Sequence, residues 1–151
     1  MIGLYDIDTM EHIATLKGHH GGVTHLQLSP DNMRLYSGAR KVTRKKTGNS
    51  FRCHMSTWFF FLYLKCEKDQ EILCWDLRNY GEILHIIRRD CPTNQRIYFD
   101  VNFQHNILAT GDDQQVRFYN LYQQSTLDSD NKVLKPFNEF HSHNNRVNGI
   151  R

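Results

Sequence analysis

Apolar and polar residues alternate in short runs along most of this chain, and turn-forming residues separate the runs. Leu26 and Leu28 alternate with His25 and Gln27, Ser29-Pro30-Asp31-Asn32 follows, and apolar residues return over 35–38. Period-two alternation bounded by such residues predicts β-strands at 23–28 and 35–38 with a turn between them. The same signals predict strands at 72–75, 97–103, 107–110 and 116–119, with a turn at 104–106. Outer strands are expected at 84–87 and 133–137. Residues 2–5 and 13–16 read as the last two strands of a preceding unit, and 147–150 as the first strand of a following one. Arg88 and Arg89 read as a solvated turn.

The runs also repeat. Tyr5-Asp6, Trp75-Asp76 and Tyr119-Asn120 each close an apolar run; the last two pairs are 44 residues apart and the first two 70. Setting aside the 27 residues 42–68 brings the longer spacing to 43. A period near that value is the signature of the WD repeat, in which each unit is one four-stranded propeller blade. The internal spacing repeats too, since Leu28 to Gly38 and Val101 to Gly111 are both 10 residues. The expected fold is all-β, a WD-repeat β-propeller fragment with about two complete blades plus parts of the flanking blades. A seven-bladed ring at this period needs about twice this length, so residues 1–151 read as a partial propeller.

Polar residues at fixed offsets have a structural task in such a blade. His19, Ser37, Asp69 and Trp75 occupy the positions of a buried hydrogen-bonded set that locks the strands and fixes a tight turn. Buried polar groups are tolerable only when each has a partner. In the second unit Thr110 takes the place of Ser37, and Asp113 precedes Tyr119 by six residues, as Asp69 precedes Trp75. Because blade packing already accounts for these offsets, a hydrolase built on His19, Ser37 and Asp69 is rejected. No catalytic residue, small-molecule substrate or cofactor is assigned, and the chain is not read as an enzyme. Cys53, Cys66, Cys74 and Cys91 have neither CxxC nor zinc spacing, and His141-Ser142-His143 lacks completing ligands, so no metal site is expected.

Composition refines the picture at one place. Residues 42–68 hold six Lys and Arg against one Glu, whereas the other 124 residues hold 13 against 15 acids. The net charge of +3 is therefore the property of one block and leaves no broad basic footprint. The block falls in a blade turn, where two to five residues are usual. Its ends and its Trp58-Phe59-Phe60-Phe61 run suggest a retained in-frame intron. Val codons begin with GT, a Lys codon can end in AG, and Phe codons are pyrimidine-rich. That reading makes 42–68 a disordered insertion. The rival reading is an RNA-binding loop, with Arg44, Lys45 and Lys46 on phosphate and aromatic rings stacking on bases. The longest apolar run, seven residues at 58–64, is far below the roughly 20 that span a membrane. Residues 1–6 show no secretory pattern, so an intracellular setting with reduced cysteines is expected.

Several segments go beyond the general repeat. Gly18-His19-His20-Gly21-Gly22-Val23-Thr24-His25-Leu26, Ser37-Gly38-Ala39-Arg40-Lys41 and the segment from Asp69 to Arg78 resemble the telomerase Cajal body protein family. So does Thr93-Asn94-Gln95-Arg96-Ile97-Tyr98-Phe99-Asp100. The resemblance covers most of the chain outside 42–68 and weakens after about Leu121. It implies a non-enzymatic scaffold that binds the CAB box of small Cajal-body RNAs and telomerase RNA and directs these particles to Cajal bodies and telomeres. It also implies dyskerin and the other H/ACA particle proteins as partners and a place in the nucleus, in the Cajal body; from the short apolar run, no membrane partner is expected. The alternatives are a generic WD-repeat protein-interaction module or a non-functional truncated product. Loops leading into first strands and loops joining second to third strands share one rim of a propeller. Arg40, Lys41, Gln95 and Arg96 lie in such loops and are the candidate RNA-binding residues. The competing reading has Arg40 and Arg96 forming salt bridges within or between blades.

Overall fold

Each predicted strand pair has to bury its apolar positions against another sheet, and the computed structural model shows how. It describes residues 1–40, 70–91, 95–122, 132–142 and 144–149. Among these residues every regular element is a strand: β1 (Ile2–Tyr5), β2 (His12–Leu16), β3 (Val23–Leu28), β4 (Arg34–Ala39), β5 (Glu71–Asp76), β6 (Glu82–Arg88), β7 (Phe99–Asn102), β8 (Ile107–Gly111), β9 (Gln115–Asn120), β10 (Val133–Leu134) and β11 (Asn138–His141). They form three sheets. One is the pair β1-β2, one has the order β10-β6-β5-β4-β3, and one has the order β11-β9-β8-β7. The last two are four-stranded antiparallel meanders, β3 to β6 in one and β7, β8, β9 and β11 in the other, with β10 leaving the second to pair in parallel with the outer edge of β6.

Alternation along β5 ties the three sheets together. Ile72 and Cys74 point into one apolar cluster with Tyr36, Phe99, Val101, Leu108 and Tyr119. Leu73 and Trp75 point the other way, into a cluster with Leu16 and Leu35 that Ile2 and Leu4 cover. The first complete sheet is thus packed on both faces, which is why β4 and β5 are buried almost throughout. Stacked four-stranded meanders of this kind are the arrangement of neighbouring blades in a β-propeller. Gln27 of β3 donates to Asp100 of β7 at 3.1 Å, joining the innermost strands. Both inner hairpins turn on an asparagine with positive φ, Asn32 (57°) and Asn106 (52°), a conformation that asparagine tolerates better than most residues.

Three sequence expectations change. The strand expected at 97–103 is confined to Phe99–Asn102. The expected outer strand at 133–137 divides at Lys135-Pro136, because proline offers no N–H to a ladder. Val133–Leu134 pairs in parallel with β6 of the first blade, and the fourth strand of the second blade is Asn138–His141, antiparallel to β9. In the span expected as a strand at 147–150, Val147 donates to the Asp112 carbonyl and Asn148 accepts from the Tyr98 N–H, so this segment crosses a rim, and its described residues form no strand. The insertion at 42–68 lies outside the described residues.

Candidate functional site

The rim where β2 ends, β4 ends and β5 begins carries two groups of polar residues, one buried and one exposed. In the buried group, Trp75 Nε1–H donates to Ser37 Oγ at 2.7 Å, and His19 Nε2 lies 2.8 Å from the same oxygen. Ser37 Oγ is also 3.4 Å from the Leu73 carbonyl. A hydroxyl has one proton and two lone pairs, so one oxygen can join all these groups. When that proton goes to Nε2, the imidazole proton resides on Nδ1. Ser37 and Trp75 are fully buried, and His19 nearly so. A serine held in this way serves as a strand tie, with no open side for a substrate. Gly18 makes room for the set: a Cβ there would lie 2.7 Å from Trp75 Cη2 and 2.9 Å from Leu73 Cδ1. Asp69 lies outside the described residues.

The second blade does not repeat this set. Thr110 is buried in the register position of Ser37, but its hydroxyl donates to the Gly111 carbonyl at 3.3 Å. Tyr119 carries its donor at the ring tip and reaches the Arg88 carbonyl at 3.5 Å. Asp113 has a side chain that is 49% exposed and stands 3.9 Å from Arg146. The buried carboxylate is its neighbour Asp112, 2% exposed, which pairs with Arg117 at 2.5 Å and accepts from the Asp90 N–H at 3.1 Å.

The exposed group contains the candidate arginines. Arg40 follows β4, and its N–H donates to the Gly22 carbonyl at 3.1 Å. Gln95 accepts from the Asn148 side chain at 2.9 Å. Arg96 Nη1 donates to Tyr98 Oη at 3.2 Å, and the guanidinium carbon lies 5.7 Å from the ring centroid. Tyr98 is 40% exposed and stands edge-on to His25, with centroids 5.4 Å apart. Among the described residues neither Arg40 nor Arg96 pairs with a carboxylate. Lys41 lies outside the described residues.

Two residues of this rim were missed in the sequence reading. Tyr98 was not singled out, although alternation of the buried Ile97, Phe99 and Val101 leaves it facing outward beside Arg96. Arg89 was expected in a solvated turn with Arg88, and only Arg88 fits. Arg88 is 68% exposed and pairs with Glu71 at 3.2 Å. Arg89 is 6% exposed and donates to three main-chain carbonyls, Gln70 from Nε at 3.0 Å, Ile97 from Nη1 at 3.2 Å and Ala39 from Nη2 at 2.8 Å. The signal was present, because the period-two phase that buries Ile87 continues to position 89.

On the opposite rim, Asp76 accepts from Arg78 Nε at 2.9 Å and from Arg78 Nη2 at 2.7 Å. This bidentate grip, with the Arg78 backbone N–H, lowers the Asp76 carboxyl to about 2.

The WD domain, G-beta repeat family matches residues 10–41. Telomerase Cajal body protein 1 of Rattus norvegicus is 34% identical over 149 residues, covering 99% of this chain and 23% of that protein. The Homo sapiens protein of the same name is 38% identical over 110 residues, covering 73% of this chain and 15% of that protein. Telomerase Cajal body protein 1 homolog of Drosophila melanogaster is 37% identical over 101 residues, 65% of this chain and 14% of that protein. The chain thus spans less than a quarter of the length of these relatives.

Proposed function

From a chain that is a WD-repeat family member with homologues named telomerase Cajal body protein 1, we propose an RNA-binding scaffold. Its targets are small Cajal-body RNAs and telomerase RNA carrying a CAB box, and it directs those particles to Cajal bodies and telomeres in the nucleus. Dyskerin and the other H/ACA proteins are its proposed partners in the particle. The observation that supports this reading is the exposed rim. Two guanidinium groups, Arg40 and Arg96, stand there without a carboxylate partner among the described residues, and one lies against a half-exposed tyrosine. Guanidinium groups bind phosphate in a fork and stack on bases, and an aromatic ring beside them offers a platform for an unpaired base. Lys41 and Gln95 extend the proposed contact set. Asp69 is the proposed acceptor for the second ring nitrogen of His19.

The test is fluorescence anisotropy of the protein with RNA bearing an intact or a mutated CAB box. The unsubstituted protein is expected to prefer the intact box. Arg40→Ala and Arg96→Ala are each expected to weaken binding about tenfold with little change in Tm. If Arg96 meets a phosphate, its loss reduces the salt slope by about 0.7, alike for all RNAs. Equal loss of folding and binding would assign both arginines to structure, and indifference to the box would favour a WD-repeat protein-interaction surface.

A further inference from the structure

The two exposed arginines sit on different blades, Arg40 at the end of β4 and Arg96 in the segment leading into β7. Whether they meet a ligand together depends on what holds those segments to each other. The Arg89 guanidinium does so directly. Nη2 donates to the carbonyl of Ala39, the residue before Arg40, and Nη1 to the carbonyl of Ile97, the residue after Arg96. Since the fork of a guanidinium is rigid, these two bonds keep the carbonyls within about 8 Å of each other. The third donor, Nε, binds the Gln70 carbonyl at the entry to β5. All three acceptors are main-chain atoms, so the side chain fixes backbone position.

The segment that carries Arg89 is itself held. The Asp90 N–H donates to buried Asp112 at 3.1 Å, and the Cys91 N–H donates to the Gln70 side chain at 3.0 Å. The blades also approach closely here. A Cβ on Gly38 would lie 3.0 Å from the Phe99 ring and 3.8 Å from Arg89 Nη2. A charged side chain is costly to bury and is kept where its donors are satisfied.

We propose that Arg89 is a positioning residue that makes Arg40 and Arg96 a single RNA-contacting site spanning two blades. The proposal rests on the RNA-binding reading above. A single-stranded RNA segment would then meet both guanidinium groups at a fixed separation, without the entropic cost of ordering two independent loops. Lysine at position 89 keeps the charge, but its donors all leave one nitrogen and do not span three carbonyls.

Two measurements test this in the whole protein. The first uses spin labels on non-natural residues at positions 40 and 96, with their separation read by double electron–electron resonance. The distribution should be narrow with Arg89 and markedly broader in Arg89→Lys at unchanged far-ultraviolet circular dichroism. An unchanged distribution overturns the proposal whether or not RNA binds. The second is anisotropy with a CAB-box RNA. Arg89→Lys should weaken binding about tenfold, although residue 89 is buried away from the ligand. With Arg89 intact, Arg40→Ala and Arg96→Ala should be non-additive, the double variant losing markedly less than the product of the two single losses. This cycle needs no variant at 89, so it can overturn the proposal even if Arg89→Lys does not fold. Additive losses overturn the proposal and leave the RNA reading standing, as does full affinity in Arg89→Lys. An unsubstituted protein that binds no RNA overturns the RNA reading, and this role of Arg89 with it.

Discussion

Ser37→Ala tests the buried set most directly. The substitution removes one oxygen and leaves the backbone unchanged. That oxygen accepts from Trp75 Nε1 at 2.7 Å and lies 2.8 Å from His19 Nε2. Without it, an indole N–H and an imidazole nitrogen lose this partner in a fully packed region. Leaving a buried polar group unsatisfied costs about 1–3 kcal/mol. Relaxation of His19 would recover part of that cost, so about 2–3 kcal/mol is expected for the variant. At this chain length each kcal/mol corresponds to roughly 2–4 °C, so Tm should fall by about 5–10 °C. Urea unfolding followed by tryptophan fluorescence and circular dichroism gives the free energy independently. A double-mutant cycle isolates the hydrogen bond, because Trp75→Phe removes its donor. The double variant should cost about 1 kcal/mol less than the two single variants added together. A loss below about 0.5 kcal/mol for Ser37→Ala, or strict additivity, would refute the reasoning and reduce Ser37 to a small residue that merely fits.

Gly18→Ala should destabilise by about 1–3 kcal/mol through overpacking, since the new methyl would lie 2.7 Å from Trp75 and 2.9 Å from Leu73; a urea melt checks this. Asp76 is depressed to about 2 by Arg78, so its ionised form stabilises the fold above about pH 3.8, and this is lost as pH falls through about 2. In Arg78→Ala, a carbon-detected NMR titration should show the Asp76 carboxyl returning toward the ordinary value of 3.8; a midpoint still near 2 would show that backbone bonds alone hold it down. Deleting residues 42–68 and joining Lys41 to Asp69 should raise soluble yield, since the apolar run at 58–64 is a β-aggregation hazard, and should leave RNA affinity unchanged. Loss of affinity at an intact fold would make the insertion a working RNA-binding loop.

Much of the architecture was legible because a strand records its surroundings locally. Successive side chains point to opposite faces, so period-two alternation marked the strands that became β3, β4, β5, β8 and β9, and the recurrence of the motif at about 43 residues marked the blades. His19, Ser37 and Trp75 were placed by offset, and the same offsets put Ser37 and Trp75 on neighbouring strands with their side chains in reach. Other features depend on contacts between distant segments. Residues 133–137 carry enough apolar character for one strand, yet Val133–Leu134 pairs with a blade whose strands lie more than 40 residues earlier. Adjacent Asp112 and Asp113 differ little in sequence terms. One is buried because Arg117 and the Asp90 N–H converge on it, and the other faces outward. Arg88 and Arg89 divide in the same way. Sequence makes them an identical pair, and strand phase sends one side chain to solvent. The other enters a seam between blades that exists only once both have folded. Alternation is a property of neighbours along the chain and can be read from it, whereas the carbonyls that surround Arg89 come from three segments that only packing brings together.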